Sequence, residues 1–414
     1  MLLTHVQIMV ESQMTDRPII DEERNVPELD FFISRTDPRG VIQAGNKLFF
    51  DVAAYRPAEL IGAPHKMVRH PDTPRAVFRI LWDRLTQGLP VGAYVKNRAS
   101  DGRYYWVFAL VAPVPGGYVS VRLKPGAETF AQARQLYTTI RKAELEGMPV
   151  DESVALLVSH LGEAGFADYE AFMRHAQMLE LLRRPDARFN SHCSALDKLN
   201  QLRSLLSNLL DNQQGLLGAF GSLRNLPTNM RITAARLEPG GGPVSVIADI
   251  YQQIGRDTTT ILRRMTAQGN RSQQMLERVT AAMFDAGSAA TQQMASMQFL
   301  RSDDIPGVDN AQERVILETM CRNSAEKSAE GLSWVLTSAG QLRSEMQALL
   351  ALSTSLDQIR VLGEVETGRM RDENDGLAAI MGQLTQFHEQ FRENLERILV
   401  LISQTQAHAR LAAA

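Results

Sequence analysis

The feature that most constrains this chain is a change of hydrophobic period near Pro125. Before it, apolar residues come in short alternating runs punctuated by Gly, Pro and Asp; after it, they recur every three or four residues for most of the remaining length. A chain of this kind joins a small sheet-bearing domain to a long all-helical region. Its 414 residues leave room for two or three domains.

The first part resolves into alternating elements. Phe31 to Thr36 reads as a strand, Asp37-Pro38-Arg39-Gly40 as a turn, and Val41-Ile42-Gln43 as a returning strand. Asn46 to Tyr55 has helical spacing, a second short helix ends at Gly62, and Arg75 to Thr86 is an amphipathic helix with Val77, Ile80, Leu81 and Leu85 inward. Three strands follow, Val91 to Arg98, Arg103 to Val114 and Tyr118 to Leu123, joined by Ser100-Asp101-Gly102 and Pro115-Gly116-Gly117. The expected fold is α+β, a small antiparallel sheet with helices on one face and a cavity between them. The loop Gly62 to Pro74 places Arg69, His70 and Asp72 close together between prolines, which suits either the wall of a pocket for a polar or anionic ligand or a structural clamp. Trp82 alone would be core packing; beside this loop it is a pocket candidate.

Ser34-x-Thr36-Asp37-x-x-Gly40, Asn46, Tyr55, Glu59-Leu60-x-Gly62, the run Pro64 to Pro74, Phe78-x-x-x-Trp82, Lys96-Asn97-Arg98, Gly102, Tyr105-Trp106-Val107 and Gly117-Tyr118-x-Ser120-Val121-Arg122 together resemble the PAS domain of bacterial aerotaxis receptors, collinearly over about a hundred residues. The resemblance implies non-covalent FAD whose redox state is reported, with Asn46, Arg69, His70, Asp72 and Trp82 as the cofactor-binding residues. Arg suits a pyrophosphate and Trp a flavin ring. Lys66 stands where that family usually has Asn. Haem is the alternative cofactor, with His65 and His70 as the available axial ligands. A photoreceptor-type flavin site needs a nearby Cys, and the two cysteines, Cys193 and Cys321, lie far outside this domain.

Net charge is −3 with no basic stripe, so nothing in the sequence points to nucleic acid and none is expected as a partner. Two cysteines without short spacing imply a reducing compartment and no metal knuckle. The start of the chain lacks signal-peptide architecture, and Ile398 to Ile402, the longest apolar stretch near the C-terminus, is far shorter than the roughly 20 residues of a membrane span. The expectation is a soluble, cytoplasmic protein. No nucleophile elbow, P-loop, zinc-protease or kinase signature is present, so no catalytic residue is assigned and the chain reads as a non-enzyme. Met275, Met283, Met294 and Met297 read as core filler.

The expected domains are a cap segment over 1–26, the PAS sensor over 27–125, a helical connector over 126–190, and a bundle over 191–414. In the connector, Phe130 to Glu146 is a helix and Asp151 to Leu182 holds others broken at Gly162 and Gly165. In the bundle, Leu199, Leu202, Leu206, Leu209, Leu216, Phe220 and Leu223 form a coiled-coil-like seam with Gln213 in the one polar position, and Pro227 kinks it. Asn229, Ile232, Ala234, Ala235, Arg236, Gly241, Val246, Ile247, Ala248 and Asp249 then resemble the signalling hairpin tip of methyl-accepting chemotaxis proteins. Thr233 replaces a Glu, Pro243 a turn Gly and Val244 a Phe. The family docks its kinase and coupling protein there, so these changes imply weak or modulatory contact with chemotaxis receptors, a coupling protein or a histidine kinase. Placing Arg236 on Arg369, a shift of 133, also sets Ile232 on Val365 and Ile247 on Ile380, which indicates an internal duplication. Hairpins of about 194–299 and 309–409, reversing near Gly240 to Gly242 and Asp372 to Gly376 and joined by a loop over Pro306 to Asn310, form a four-helix bundle inside one chain, while a homodimer stays open. The implied function is a soluble redox or oxygen sensor in chemotaxis-type signalling. The alternatives are a ligand-free PAS with a helical scaffold that organises receptor arrays, or a haem gas sensor.

Overall fold

The structure, a computed structural model, describes residues 19–184, 190–222, 226–237, 242–267, 271–299, 304–369 and 375–413. The chain divides into two compact units, Met1–Leu196 with Met283–Ser328, and Asp197–Ala282 with Ala329–Ala414.

The first unit is built on a sheet of β1 (Ile20–Glu23), β2 (Phe32–Thr36), β3 (Ile42–Gly45), β4 (Val91–Arg98), β5 (Arg103–Val114) and β6 (Gly117–Leu123). From β3 through β2, β6 and β5 to β4, every neighbouring pair is antiparallel. The last three strands follow the hairpin signals closely. Gly117 is needed at its turn because a Cβ there would sit 1.8 Å from the Thr36 carbonyl oxygen. To the antiparallel expectation the structure adds β1, which runs parallel to the start of β5 and makes the sheet mixed. Its exposed residues Ile20 to Glu23 carry no alternation that would announce a strand. Backbone bonds from Ile20 N to the Gly102 carbonyl (2.9 Å) and from Arg24 N to the Tyr104 carbonyl (2.7 Å) hold the segment, with an Arg24–Asp101 ion pair beside them.

One face of this sheet meets α1 (Lys47–Ala53), α2 (Pro57–Leu60) and α3 (Arg75–Thr86). The other meets α4 (Glu128–Leu145) and α6 (Tyr169–Leu182), with α5 (Val150–Glu163) between them in sequence. Tyr94 on β4 packs against Phe130 and Phe172 of those helices, and its hydroxyl donates to Glu180 at 3.0 Å. Later segments also reach this face: Phe31 N donates to Gln298 at 2.7 Å, and Arg35 makes a bidentate pair with buried Glu313, closest approach 2.7 Å.

Two buried carboxylates cap helices other than their own. Glu180 of α6 accepts from Gly126 N and Ala127 N at 3.0 Å at the start of α4. Glu144, near the end of α4, accepts from Arg75 N (2.9 Å) and Ala76 N (3.0 Å) at the start of α3. Each fills orphan donors that the local sequence leaves open, since neither helix has a side-chain cap of its own.

The second unit draws on α7 (Ser191–Ser222), α8 (Leu226–Leu237), α9 (Pro243–Ala267), α10 (Arg271–Phe299), α11 (Asn310–Arg369) and α12 (Asp375–Ala413). Arg231 and Asp249 approach to 3.6 Å across α8 and α9, and Arg360 donates to Thr385 at 3.3 Å across α11 and α12. The reversals expected at Gly240–Gly241 and Asp372–Asn374 lie outside the described residues, as does the seam's Leu223. The α10–α11 reversal, which belongs to the first unit, falls at Ile305–Val308, with Gly307 at φ +85° and Asp309 capping α11 through Ala311 N and Gln312 N. Leu199, Leu202, Leu206, Leu209, Gln213 and Leu216 are buried, and so are the residues 133 positions on, Leu332, Val335, Ala339, Leu342, Met346 and Leu349. The return arms agree: Ala248, Tyr251, Thr258, Leu262 and Ser272 match buried Met381, Leu384, Phe391, Leu395 and Thr405. Val244, which stands where the resembled family has the Phe of its tip, is buried; the exposed apolar residues beside that tip are Ile232 and Val246.

Candidate functional site

A cavity of about 470 Å³ opens between the inner face of the sheet, α3 and the loop before it. Strand alternation decides which side chains face it. On β2, Ser34 and Thr36 face in, and on β6 Tyr118, Ser120 and Arg122 do. On α3, Phe78, Leu81, Trp82 and Leu85 share one stripe and form the opposite wall.

At one end lies Arg122, 5% exposed. Its two terminal nitrogens donate to Ser34 Oγ at 3.0 Å, and Nη2 lies 2.6 Å from His65 Nε2. Among the described residues no carboxylate pairs with it. Burial brings its pKa down to about 10, so it remains a cation at neutral pH. Burial, reinforced by the Arg122 charge, pushes His65 down to about 3. The neutral imidazole therefore accepts from Arg122 through Nε2 and carries its proton on Nδ1. Ser120 Oγ, opposite Ser34 across the strands, is buried with no hydrogen-bond partner. Trp82, 38% exposed, meets Tyr118 edge-on at 5.5 Å in the same wall. Gly40 holds its turn beside the indole at φ +80°, the left-handed region that favours glycine. Arg69 lies 3.6 Å over the Phe78 ring, and burial brings it down to about 10.

Of the residues expected to contact a cofactor, Arg69 and Trp82 come together on this cavity. The other three are placed in its framework. Asn46 caps α1, accepting from Phe49 N (3.2 Å) and Ile33 N (2.9 Å) and donating to the Phe31 carbonyl (2.7 Å), which ties β2 to the helix. His70 is buried and accepts from Asp72 N through Nδ1 at 3.1 Å; burial pushes its pKa down to about 4, with Lys96 adding to the effect. Asp72 pairs with Lys96 Nζ at 2.7 Å, and Thr73 Oγ1 both donates to and accepts from the Lys96 backbone. The Arg69–Thr73 run is thus stapled along the edge of β4, where Asn97 faces the cavity. In the sequence, Ser34, Asn97, Ser120 and Arg122 stand out only as part of the PAS resemblance and not as cavity contacts, and His65 only as a haem ligand. The available signal was an Arg at an inward position of a strand.

The donor set suits a flavin: an uncompensated buried cation, an orphaned hydroxyl, an aromatic wall and a second Arg in one cavity of ligand size. Residues 45–119 match the sequence family described as PAS fold. The chain is 37% identical over 134 residues to the aerotaxis receptor of Escherichia coli (strain K12), a match covering 31% of this chain and 26% of the receptor. It is 27% identical over 153 residues to the nitrogen fixation regulatory protein of Klebsiella pneumoniae, covering 34% of this chain and 31% of that protein. The matched stretch is therefore less than a third of either relative. Among solved structures, the light state of the blue-light photoreceptor Aureochrome1 LOV aligns with 21% identity and a TM-score of 0.23, covering 25% of this chain and 87% of that one. No helix among the described residues is long and apolar enough to cross a membrane. The sheet and the helices of its inner face form a PAS domain, similar in sequence to that of the aerotaxis receptor, and a mostly helical region follows it.

Proposed function

We propose that this chain is a cytoplasmic redox or energy sensor in chemotaxis-type signalling, with FAD in the PAS cavity and the receptor-like helices as its output. The observation that carries this reading is Arg122: a buried guanidinium with no carboxylate, facing a cavity lined by Ser34, Ser120 and Trp82. The similarity to the aerotaxis receptor supports it. When bound, the flavin ring supplies reversible electron uptake. Arg122, Ser34, Ser120 and Asn97 offer it polar contacts, Trp82 and Phe78 an apolar wall, and Arg69 a cation for phosphate. Asn46, His70 and Asp72 hold these walls in place. His65 Nε2 accepts from Arg122, and His70 Nδ1 accepts from Asp72 N, which weighs against haem ligation by either ring.

The output route runs through the capping carboxylates. A shift of α3, which carries Trp82, pulls on Glu144 and so on α4. The role is signalling and not catalysis. Chemotaxis receptors, a coupling protein or a histidine kinase would meet the hairpin tips weakly, at exposed Ile232, Val246 and Val365. An absorption spectrum of the purified protein after incubation with excess FAD and dialysis tests the cofactor. A flavin spectrum released on denaturation is expected; a haem spectrum, or a colourless protein, overturns the reading.

A further inference from the structure

Within the second unit, the two hairpins share one buried register but not one set of side chains. Phe220 on α7 meets Phe391 on α12 at 5.7 Å between ring centroids, and Phe387 at 6.2 Å. The position 133 after Phe220 is Ser353, and the position 133 before Phe391 is Thr258; both are small, hydroxylated and buried. The first hairpin thus carries its bulk on the outgoing arm and the second on the returning arm. A second contact is equally one-sided. Tyr251 on α9 stacks on His388 of α12 with centroids 5.6 Å apart and planes 7° apart, and its hydroxyl bonds to Nε2. Asp357 lies 3.8 Å from Nδ1 of the same ring, on α11. The repeat equivalents of Tyr251 and His388 are Leu384 and Gly255, which can make no such bond.

We infer that the bundle closes within one chain, each hairpin being specified to pair with the other and against a second copy of itself. In a pair of first hairpins, Phe220 would meet Thr258 of the copy twice, and Tyr251 would face Gly255. In a pair of second hairpins, Ser353 would meet Phe391 and buried His388 would face Leu384 without its hydroxyl. Every self-pairing loses both the Phe–Phe contact and the tyrosine–histidine bond. Only the mixed pairing makes both, with Thr258 Oγ1 and His388 Nδ1 left without hydrogen-bond partners in it, and one chain contains both members. This inference is independent of what the PAS cavity holds.

The test uses the full chain with Cys193 and Cys321 replaced by Ala. Spin labels go on cysteines at exposed Val246 and Val361, one in each hairpin. Closure within the chain predicts a dipolar coupling that survives dilution into a large excess of unlabelled chain. Loss of the coupling on dilution, the signature of exchanged or self-paired hairpins, overturns the inference. Ser353→Phe with Phe391→Thr gives both hairpins the same layer, so the mixed pairing loses its Phe–Phe contact and its advantage there, and the urea midpoint of the bundle should fall clearly; a variant as stable as wild type counts against the inference. Should that variant fail to fold, exchanging the whole layer (Phe220→Ser, Thr258→Phe, Ser353→Phe, Phe391→Thr) decides. The mixed pairing is kept, so the coupling should persist under dilution, and its loss overturns the proposal.

Discussion

At the scale of single residues, the cavity separates ligand contacts from framework. Arg69→Ala and Arg122→Ala should each weaken FAD binding by about 1.5–3 kcal/mol, roughly tenfold to a hundredfold in Kd, as expected for losing a charge-assisted bond. Fluorescence titration reads this, and unchanged affinity in both would remove these residues from the site. His70→Ala should act differently. It removes a buried ring that anchors the loop through Asp72 N, so its main effect is a lower melting temperature, with affinity retained in the folded fraction. Arg69 and Trp82 were legible as pocket residues because polar loop and amphipathic helix are local patterns. The Arg122–His65 contact was not, because its partners are 57 positions apart and meet only when β6 and the loop are folded against one another.

At the scale of elements, the strands β4 to β6 and helix α3 follow from hairpin turns and apolar spacing, which are short-range signals. The cap that starts α3 does not, because it comes from Glu144 on another helix. Burial pushes that carboxyl up, but bonds from Arg75 N, Ala76 N, Ser153 and Arg141 outweigh it and hold it below its ordinary range. Removing one member of such a buried charged set typically costs about 3–5 kcal/mol. Glu144→Ala should therefore lower the urea midpoint strongly, whereas Ala substitution of Asp83, which pairs with Arg79 on the surface of α3, should hardly move it. Equal small effects in both would show that the cap matters little. β1 escaped prediction for a related reason: it is set by pairing with β5 and not by any pattern of its own.

At the scale of the whole molecule, four histidines, His70 and His388 buried and His65 and His192 half-buried, make stability depend on pH. His65 is pushed down to about 3, His70 and His388 to about 4, and His192 downward, in each case first by burial. The unfolded chain takes up these protons near pH 6.5 and the folded chain only at lower pH. Stability is therefore full above about 6.5 and falls as pH drops, by roughly 1.4 kcal/mol per pH unit for each proton. Asp285, which burial raises to about 6, works in the opposite direction and offsets part of the loss. Urea midpoints that stay constant between neutral pH and the onset of carboxylate protonation would contradict this. The helical region was legible from apolar spacing, and the repeat from setting Arg236 and its neighbours on Arg369. Which hairpin faces which was not, because it is decided by single layers such as Phe220 with Phe391.

The internal repeat also changes how the bundle can vary. In a symmetric dimer every substitution appears twice, once on each side of the axis, and must be tolerated in both places. Here each position is inherited separately, so a change in one hairpin is felt once and can be answered by a different change in the other. The first tip carries Thr233 where the second keeps Glu366. Divergence of this kind is open to a chain that contains its own partner, and it lets the side chains of one tip change while those of the other stay.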